Sequence, residues 1–193
     1  MIIPANSDDD SAPLVVIVMG VSGAGKSTVS QALADRCGYL YLDADDFHST
    51  DARAHMAAGK PLTDVMRTPW VDTICKHLRK LAVDGTHVEL AFSGLRKAHR
   101  EPLRHCGYRV QFLFLDGNRN TIAARLQART DHFMPTSLLD SQFASLERPD
   151  TEPDVQILDI TPPLEQLLDR AVHLLHSKDA GQRAPTRTTI DRP

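Results

Sequence analysis

Several common sequence features are scarce in this chain of 193 residues. Its three cysteines lie far apart and form no C-x-x-C pair, so neither a zinc site nor a disulfide framework is indicated. This usage is typical of a reducing compartment. No apolar run approaches the roughly 20 residues that span a bilayer. The first residues include Asp8–Asp10 and lack a basic segment followed by an apolar one, so we expect a cytoplasmic protein without a secretory signal.

Charge of one sign is also scarce. The 22 basic residues nearly balance the 25 acidic ones, and the formal net charge is -3. Proteins that bind nucleic acid or acidic membranes through their charge carry a strong basic excess. We therefore expect neither nucleic acid nor a membrane as a partner.

The most informative segment is a glycine-rich loop. Residues Gly20–Ser27 read GVSGAGKS, which matches the G-x-x-x-x-G-K-[ST] pattern of phosphate-binding loops. The apolar run Leu14–Met19 before it predicts a buried strand, and apolar residues at helical spacing after it predict a helix. In this context the backbone N–H groups of the loop would wrap a nucleoside triphosphate. The predicted nucleotide-binding residues are Gly20, Val21, Ser22, Gly23, Ala24, Gly25, Lys26, Ser27 and Thr28. Lys26 would contact the β- and γ-phosphates, and the Ser27 hydroxyl would hold Mg²⁺.

Strands and helices alternate through the rest of the chain. This alternation predicts a three-layer α/β fold, a five-stranded parallel sheet with helices on both faces, whose ligands bind beyond the carboxyl ends of the strands. One helix is predicted over Trp70–Val83 with Pro69 at its start, and the last over Leu164–Leu175. The predicted domain spans residues 13–177. Residues 1–12 and 178–193 are polar and are predicted to be disordered tails.

Carboxylates follow the second predicted strand, in the segment Asp43–His48. Because this strand ends at the same edge of the sheet as the phosphate loop, its carboxylates should face the same crevice. Asp43 would hold Mg²⁺ through water, and Asp45, two residues on, would accept the proton of an attacking hydroxyl. The alternative interpretation is a cluster of aspartates that cap a helix. His48 fits a substrate contact or an ordinary loop histidine equally well.

Arg125 and Arg129 lie four residues apart on one predicted helix that leads into a polar loop. This arrangement is typical of a lid, here at about residues 125–150, that closes over a transferring phosphoryl group. Arginines in such a lid neutralise charge that develops in the transition state, and closure excludes water. A solvated basic face on an amphipathic helix is the alternative interpretation.

Further motifs occur in a fixed order along the chain. They are DADDFH at residues 43–48, MAAGKPLTD at 56–64 with Arg67, SGL at 93–95 with Arg100, HFMP at 132–135, SQF at 141–143 and LE at 146–147. With these motifs the chain from about Leu14 to Leu175 resembles the gluconokinases, small P-loop kinases related in fold to shikimate kinases. The resemblance implies ATP and Mg²⁺, transfer of the γ-phosphoryl group to the 6-hydroxyl of gluconate, and a homodimer. By the same resemblance, the predicted acceptor-binding residues are Asp45, His48, Arg67, Arg100, His132 and Gln142.

This chain departs from the family pattern on the segments expected to form the acceptor pocket. Ala52 replaces an Asn, His55 replaces a Lys, Val65 and Met66 replace an acidic pair, Arg96 replaces a Lys and His99 replaces a Tyr. An apolar site rejects analogues less sharply than a polar one, so these changes indicate a changed or broader acceptor, or drift at positions that do not touch it.

Two other functions therefore stay open beside a gluconokinase. The first is a kinase of the same fold for another sugar acid, polyol or hydroxylated metabolite. The second is a nucleotide-binding regulatory protein that transfers no phosphate. The retained Lys26, Asp45 and Arg125 argue against the second, because a binding module needs neither a base nor a lid.

Overall fold

The structure is a computed structural model that describes residues 12–128 and 136–182. Its strands are β1 (Leu14–Met19), β2 (Leu40–Asp43), β3 (Val88–Phe92), β4 (Arg109–Asp116) and β5 (Val155–Asp159). They form one sheet in the order β2-β3-β1-β4-β5, and every neighbouring pair is parallel. The predicted five-stranded parallel sheet is confirmed.

Helices connect the strands. They are α1 (Lys26–Cys37), α2 (Thr50–Ala57), α3 (Asp64–Val83), α4 (Lys97–Arg100), α5 (Arg119–Gln127), α6 (Thr136–Ser145) and α7 (Leu164–Gln182). Two short 3₁₀ turns, Ala44–Phe47 and Glu101–His105, follow β2 and α4. Within residues 12–128 and 136–182, no helix combines the length and the apolar character needed to cross a membrane.

The central strand β1 is buried on both faces, as its unbroken apolar run predicts. Val16 and Val18 pack in one core with residues of α1, α5 and α7. Ile17 and Met19 pack in the other core with Trp70 and further residues of α3. The sheet is therefore covered by helices on both sides, which makes the molecule a three-layer α/β protein.

The phosphate loop lies at the point where the order of the strands in the sheet reverses. After β1 the chain continues to β2 and β3 on one side, whereas β4 and β5 lie on the other side. The N–H group of Gly20 donates to the carbonyl of Ser93 after β3 at 3.2 Å. The loop thus lies beside the carboxyl ends of β1 and β3, at the crevice where open parallel sheets bind ligands.

Helix α3 begins earlier than predicted and contains Pro69 in its interior. Pro69 has no N–H group to donate to the carbonyl of Val65, one helical turn earlier. Val65 is exposed on the first turn, where water can replace the lost hydrogen bond. A proline near a helix start therefore does not mark the first residue of that helix.

Helix α7 extends to Gln182, beyond the predicted end at Leu175. Residues 178–182, which were assigned to a tail, are helical. The apolar stripe of the helix ends at Leu175, and the spacing of apolar residues cannot detect the polar turns that continue it.

Candidate active site

The phosphate loop joins β1 to α1 through glycines with unusual backbone angles. Gly23 and Gly25 have φ angles of 83° and 102°, which residues with a Cβ rarely adopt. A Cβ at Gly23 would lie 2.7 Å from Cγ of Leu126 on α5, so the absent side chain lets the loop pass close to α5. Gly25 is the N-cap of α1, and no side chain caps this helix. The first N–H groups of α1 are therefore suited to an anion in the loop.

Ser27, Asp43 and Tyr41 form a hydrogen-bonded group beside the loop. The hydroxyls of Ser27 and Tyr41 both donate to Oδ2 of Asp43, at 2.9 and 3.0 Å. Burial raises the pKa of Tyr41 to about 12, and Asp43 adds to the shift, so Tyr41 stays a donor. The hydroxyl of Ser27 and the carboxylate of Asp43 are hard oxygen ligands that suit Mg²⁺.

A metal at this position would be coordinated partly by the protein and partly by a bound nucleotide. Among the residues that the structure describes, no group of three or more His, Cys, Asp and Glu side chains is arranged to hold a metal ion. Mg²⁺ commonly binds through one or two protein groups and the phosphates of a substrate. The pair Ser27 and Asp43 fits that mode of binding.

Asp45 lies in the 3₁₀ turn after β2, and its backbone N–H group donates to Oδ1 of Asp43 at 3.0 Å. Its side chain is 79% exposed and so is accessible to a ligand. The pKa of Asp45 is lowered, first by the imidazole of His48 and then by the charge of Lys26.

His48 is buried beside Asp45. Its ring stacks on the ring of Trp70 with centroids 4.3 Å apart, and only 3% of its side chain is exposed. Nε2 of His48 lies 3.6 Å from Oδ1 of Asp45. The predicted contact of His48 with the substrate stays a prediction.

Arg96 and His99 contact the carboxylate of Asp64 near Arg67. Nη1 of Arg96 lies 2.5 Å from Oδ2 of Asp64, and Nε2 of His99 lies 3.7 Å from Oδ1. Burial lowers the pKa of Arg67, while Asp64 raises it and Arg96 lowers it. Burial and then Arg67 lower the pKa of His99. Arg96 and His99 thus contact one carboxylate, while Nε of Arg67 donates to the carbonyl of Leu62 at 3.3 Å.

Arg100 has different surroundings from those expected for an acceptor-binding residue. It is 1% exposed and forms an ion pair with Glu152. Its Nη1 donates to the carbonyl of Gly94 at 2.6 Å, and its Nη2 donates to the carbonyl of Glu147 at 3.2 Å. The prediction of a substrate contact is corrected here: Arg100 supports the loop after β3 from within the protein.

Gln142 on α6 contacts the phosphate loop itself. Its Oε1 accepts a hydrogen bond from the N–H group of Ser22 at 2.7 Å, and its Nε2 donates to the Ser22 hydroxyl at 3.1 Å. Arg125 on α5 also reaches the loop, because its Nη1 lies 3.5 Å from the carbonyl of Ala24. Its Nη2 donates to the carbonyl of Ile160 at 2.6 Å. Gln142 was predicted as an acceptor-binding residue, and these contacts place it on the nucleotide side instead.

Two predicted site residues, Arg129 and His132, lie outside the described residues, as does the part of the predicted lid at 129–135. Their assignments stay predictions.

Tyr41 and Trp70 belong to the site although the sequence analysis gave them no functional role. Tyr41 lies two residues before Asp43 on β2, and side chains at that spacing point to the same face of a strand. This spacing could have identified Tyr41. The contact between Trp70 and His48 joins residues 22 positions apart in different elements, and no local pattern predicts it.

A cavity of about 420 Å³ lies elsewhere, near the carboxyl end of α1. Its lining residues are Arg36, Cys37, Tyr39, Asp169 and Val172. It lies at the opposite end of α1 from the phosphate loop and includes none of the predicted site residues.

Comparisons with known proteins agree with this geometry. A family model described as an AAA domain matches residues 15–149. A gluconokinase of Arabidopsis thaliana is 43% identical over 160 residues, which cover 76% of this chain and 85% of the relative. A crystal structure of a gluconokinase from Sinorhizobium meliloti 1021 superposes with a TM-score of 0.80 at 35% identity and covers 89% of this chain and 98% of that one.

The chain belongs to the gluconokinase family. It also shares its fold with a shikimate kinase from Aquifex aeolicus, with a TM-score of 0.52 at 17% identity over 86% of this chain and 99% of that one. The predicted P-loop kinase fold and the predicted family are therefore confirmed, and the protein is a small-molecule kinase.

The departures from the gluconokinase pattern occupy contrasting environments. Val65 is 83% exposed on the first turn of α3, next to Asp64, which contacts Arg96 and His99. Ala52 is buried on α2, and Nε2 of His55 lies 3.2 Å from the carbonyl of Pro61. Acidic residues at positions 65 and 66 would add negative charge beside Arg67, so their replacement changes the electrostatics of that end of α3.

Proposed function

We propose that this protein transfers the γ-phosphoryl group of ATP to the 6-hydroxyl of D-gluconate. The observation that carries the proposal is the chain of contacts from Ser27 through Asp43 to Asp45, beside a complete phosphate loop. It couples a metal ligand to an accessible carboxylate that can act on an acceptor. The family supports gluconate as the acceptor.

In the proposed reaction, the 6-hydroxyl oxygen forms a bond to the γ-phosphorus while the bond from that phosphorus to the β–γ bridging oxygen breaks. The hydroxyl proton passes to Asp45, and the products are ADP and 6-phosphogluconate. The lowered pKa of Asp45 keeps its carboxylate ionised near neutral pH and ready to accept that proton. Lys26 and the loop N–H groups stabilise the phosphate charge.

Arg125 and Arg129 are proposed to stabilise the group in transfer. Arg125 already lies beside the loop through its contact near Ala24. Guanidinium groups supply the planar donors that phosphoryl oxygens accept.

Ser27 and Asp43 are proposed to hold Mg²⁺, Asp43 through a water molecule. The bound ion would neutralise the negative charge that develops on the phosphate during transfer. The hydrogen bond between the two side chains supports this assignment, because it keeps both oxygens at the edge of the loop.

Arg67 is proposed to bind the acceptor carboxylate, with Arg96 and His99 as neighbours. Burial makes a charge-assisted hydrogen bond from Arg67 stronger than it would be in water. The excess of basic groups around Asp64 supports an anionic acceptor over a neutral sugar or polyol.

A panel of acceptors tests the proposal. The purified protein is incubated with ATP, Mg²⁺ and gluconate, other sugar acids, glucose or sorbitol, and ADP release is measured together with the ³¹P NMR spectrum of the product. We expect turnover with gluconate and little with neutral acceptors. Lys26→Ala is the control for a contaminating kinase.

Two results would change the conclusion. Turnover of another acceptor with gluconate inert would favour the second candidate, a kinase of the same fold for a different hydroxylated acid, and the substitutions at Val65 and Met66 favour that candidate. ATP binding without turnover of any acceptor would favour a regulatory nucleotide-binding protein.

The homodimer and the cytoplasmic location stay predictions from the family and the composition. Light scattering on the purified protein measures its mass in solution, and a single protomer mass would contradict the homodimer. Fractionation of cells that express the protein tests the location.

A further inference from the structure

His48 contacts Asp45 but has no role in the proposed reaction as described above. It follows the 3₁₀ turn that carries Asp45, and its backbone N–H group donates back to the Asp45 carbonyl at 3.3 Å. Its Nε2 lies 3.6 Å from Oδ1 of the Asp45 carboxylate. The same residue therefore contacts both the backbone and the side chain of Asp45.

An aromatic stack fixes the position of the His48 ring. The ring lies 4.3 Å from that of Trp70 at an angle of 18°, and Trp70 stacks in turn on Phe92 at 5.1 Å. The indole Nε1–H of Trp70 donates to the carbonyl of Ala44 at 2.7 Å. Trp70 thus holds the start of the turn and the ring at its end, and all three aromatic residues are buried.

The polar atoms of the ring favour one tautomer. Nδ1 of His48 is buried and has no hydrogen-bond partner within the described ranges. A buried N–H group without a partner is rarer than a buried acceptor without one, so we place the hydrogen on Nε2, which faces Asp45. In this tautomer the Nε2–H group of His48 faces the carboxylate of Asp45, with 3.6 Å between Nε2 and Oδ1.

We propose that His48 is a positioning residue for phosphoryl transfer: held by Trp70, its Nε2–H group fixes one oxygen of Asp45 and leaves the other oriented toward the acceptor hydroxyl. The proposal rests on the proposed function, in which Asp45 accepts the proton. A displacement of about 1 Å in such a group costs up to about 100-fold in rate, so the orientation of this exposed carboxylate matters.

Two substitutions separate the ring from the donor. His48→Phe keeps a flat ring for the stack on Trp70 but has no N–H group. His48→Gln loses the ring but can place an amide N–H group near the position of Nε2. His77→Phe is the matched control, because His77 on α3 packs on Phe47 of the same turn at 5.2 Å.

Steady-state kinetics for ATP and gluconate provide the test. We expect His48→Phe to lower kcat about 10- to 100-fold, with the KM values for ATP and gluconate unchanged. His48→Gln should recover most of that loss, and the control should match the unsubstituted protein. In an Asp45→Asn background, His48→Phe should have no further effect on kcat.

Several results would overturn the proposal. One is a higher KM for gluconate at unchanged kcat, which would make His48 a substrate contact. Another is a normal kcat in His48→Phe. If circular dichroism shows that His48→Phe does not fold, His48→Gln decides alone: a kcat near the normal value supports the proposal, and a large loss of kcat overturns it. Failure of the proposed function is a separate result, since the unsubstituted protein would then not phosphorylate gluconate.

Discussion

The two sides of the cleft are built from different parts of the chain. On the nucleotide side, the backbone provides the binding groups: glycines with positive φ angles turn N–H groups inward, between a fully buried strand and the start of α1. On the proposed acceptor side, side chains would provide them, chiefly Arg67, with Arg96 and His99 beside Asp64. These side chains come from the first turn of α3 and from the segment after β3.

The two sides therefore differ in how readily substitutions can alter them. A backbone site tolerates few substitutions because its glycines have angles that other residues rarely adopt. A side-chain site can be altered one residue at a time, and the departures of this chain from the family pattern lie on that side. The phosphate donor is therefore fixed by the fold, and the acceptor by replaceable residues.

The largest expected effect is on the nucleotide side. Lys26→Ala should lower kcat on the order of 10⁴-fold, because it removes the charge beside the transferring phosphoryl group. Circular dichroism should show an intact fold. Lys76→Ala, an exposed residue on α3, is the control, and equal kcat for both variants would contradict the loop assignment.

Asp45→Asn should lower kcat about 10³-fold, because the shape is kept while the base is lost. The KM values for ATP and gluconate should change little, as measured by initial rates over both substrates. Asp46→Asn replaces the exposed neighbour in the same turn and should leave kcat unchanged. A change confined to KM would instead make Asp45 a binding residue.

Arg67 and Arg100 offer a direct contrast within the acceptor side. Arg67→Met should raise the KM for gluconate about 10- to 100-fold, by loss of a charge-assisted hydrogen bond, with little change in the melting temperature. Arg100→Met should instead destabilise the protein by about 1–3 kcal/mol, because it removes one of the two guanidinium partners of Glu152 and the donor to the carbonyls of Gly94 and Glu147. Thermal unfolding and kinetics on both variants check this, and the reverse pattern would restore Arg100 as a substrate contact.

Glu89 on β3 allows the cost of a buried carboxyl group to the stability of the sheet to be measured. Its neighbours Val88 and Leu90 pack toward α3, so Glu89 points toward α1, and neither of its carboxyl oxygens has a hydrogen-bond partner in the described part of the chain. Burial raises the pKa of Glu89 to about 9.

The sign of the pH effect follows from that shift. The folded protein keeps the proton on Glu89 up to about pH 9, whereas the unfolded chain releases it near pH 4.3, so stability falls as pH rises between these values. Glu89→Gln should remove this slope and raise the free energy of unfolding near pH 8 by roughly 1–3 kcal/mol. Denaturant unfolding from pH 5 to 9 measures it, with exposed Glu165→Gln as the control; an unchanged slope would contradict the buried proton.

The smallest effect is expected at the departures themselves. Replacement of Val65 and Met66 by Asp should improve kcat/KM for gluconate by up to about tenfold, since a polar site selects its partner groups more sharply. The same double substitution should lower the turnover of less polar acceptors in the panel. No change in turnover with any acceptor would indicate that these two positions have drifted without touching the acceptor.

The nucleotide side was readable from the sequence because local patterns determine it. The apolar run of β1, the spacing of the glycines and the position of Asp43 at a strand end each act within a few residues. The acceptor side was not, because its contacts join distant residues. Arg100 pairs with Glu152, 52 residues later, and this pairing converts an expected substrate contact into a buried support.

The place of Glu152 also bears on how the protein is made. This residue binds both Arg100 and Arg104, and Arg100 holds the carbonyl of Gly94 in the segment that leads to Arg96. During synthesis the glycine loop leaves the ribosome long before Glu152 does. The segment from Gly94 to Arg96 therefore gains this support only after Glu152 has emerged, so its final shape depends on residues that are made late in synthesis.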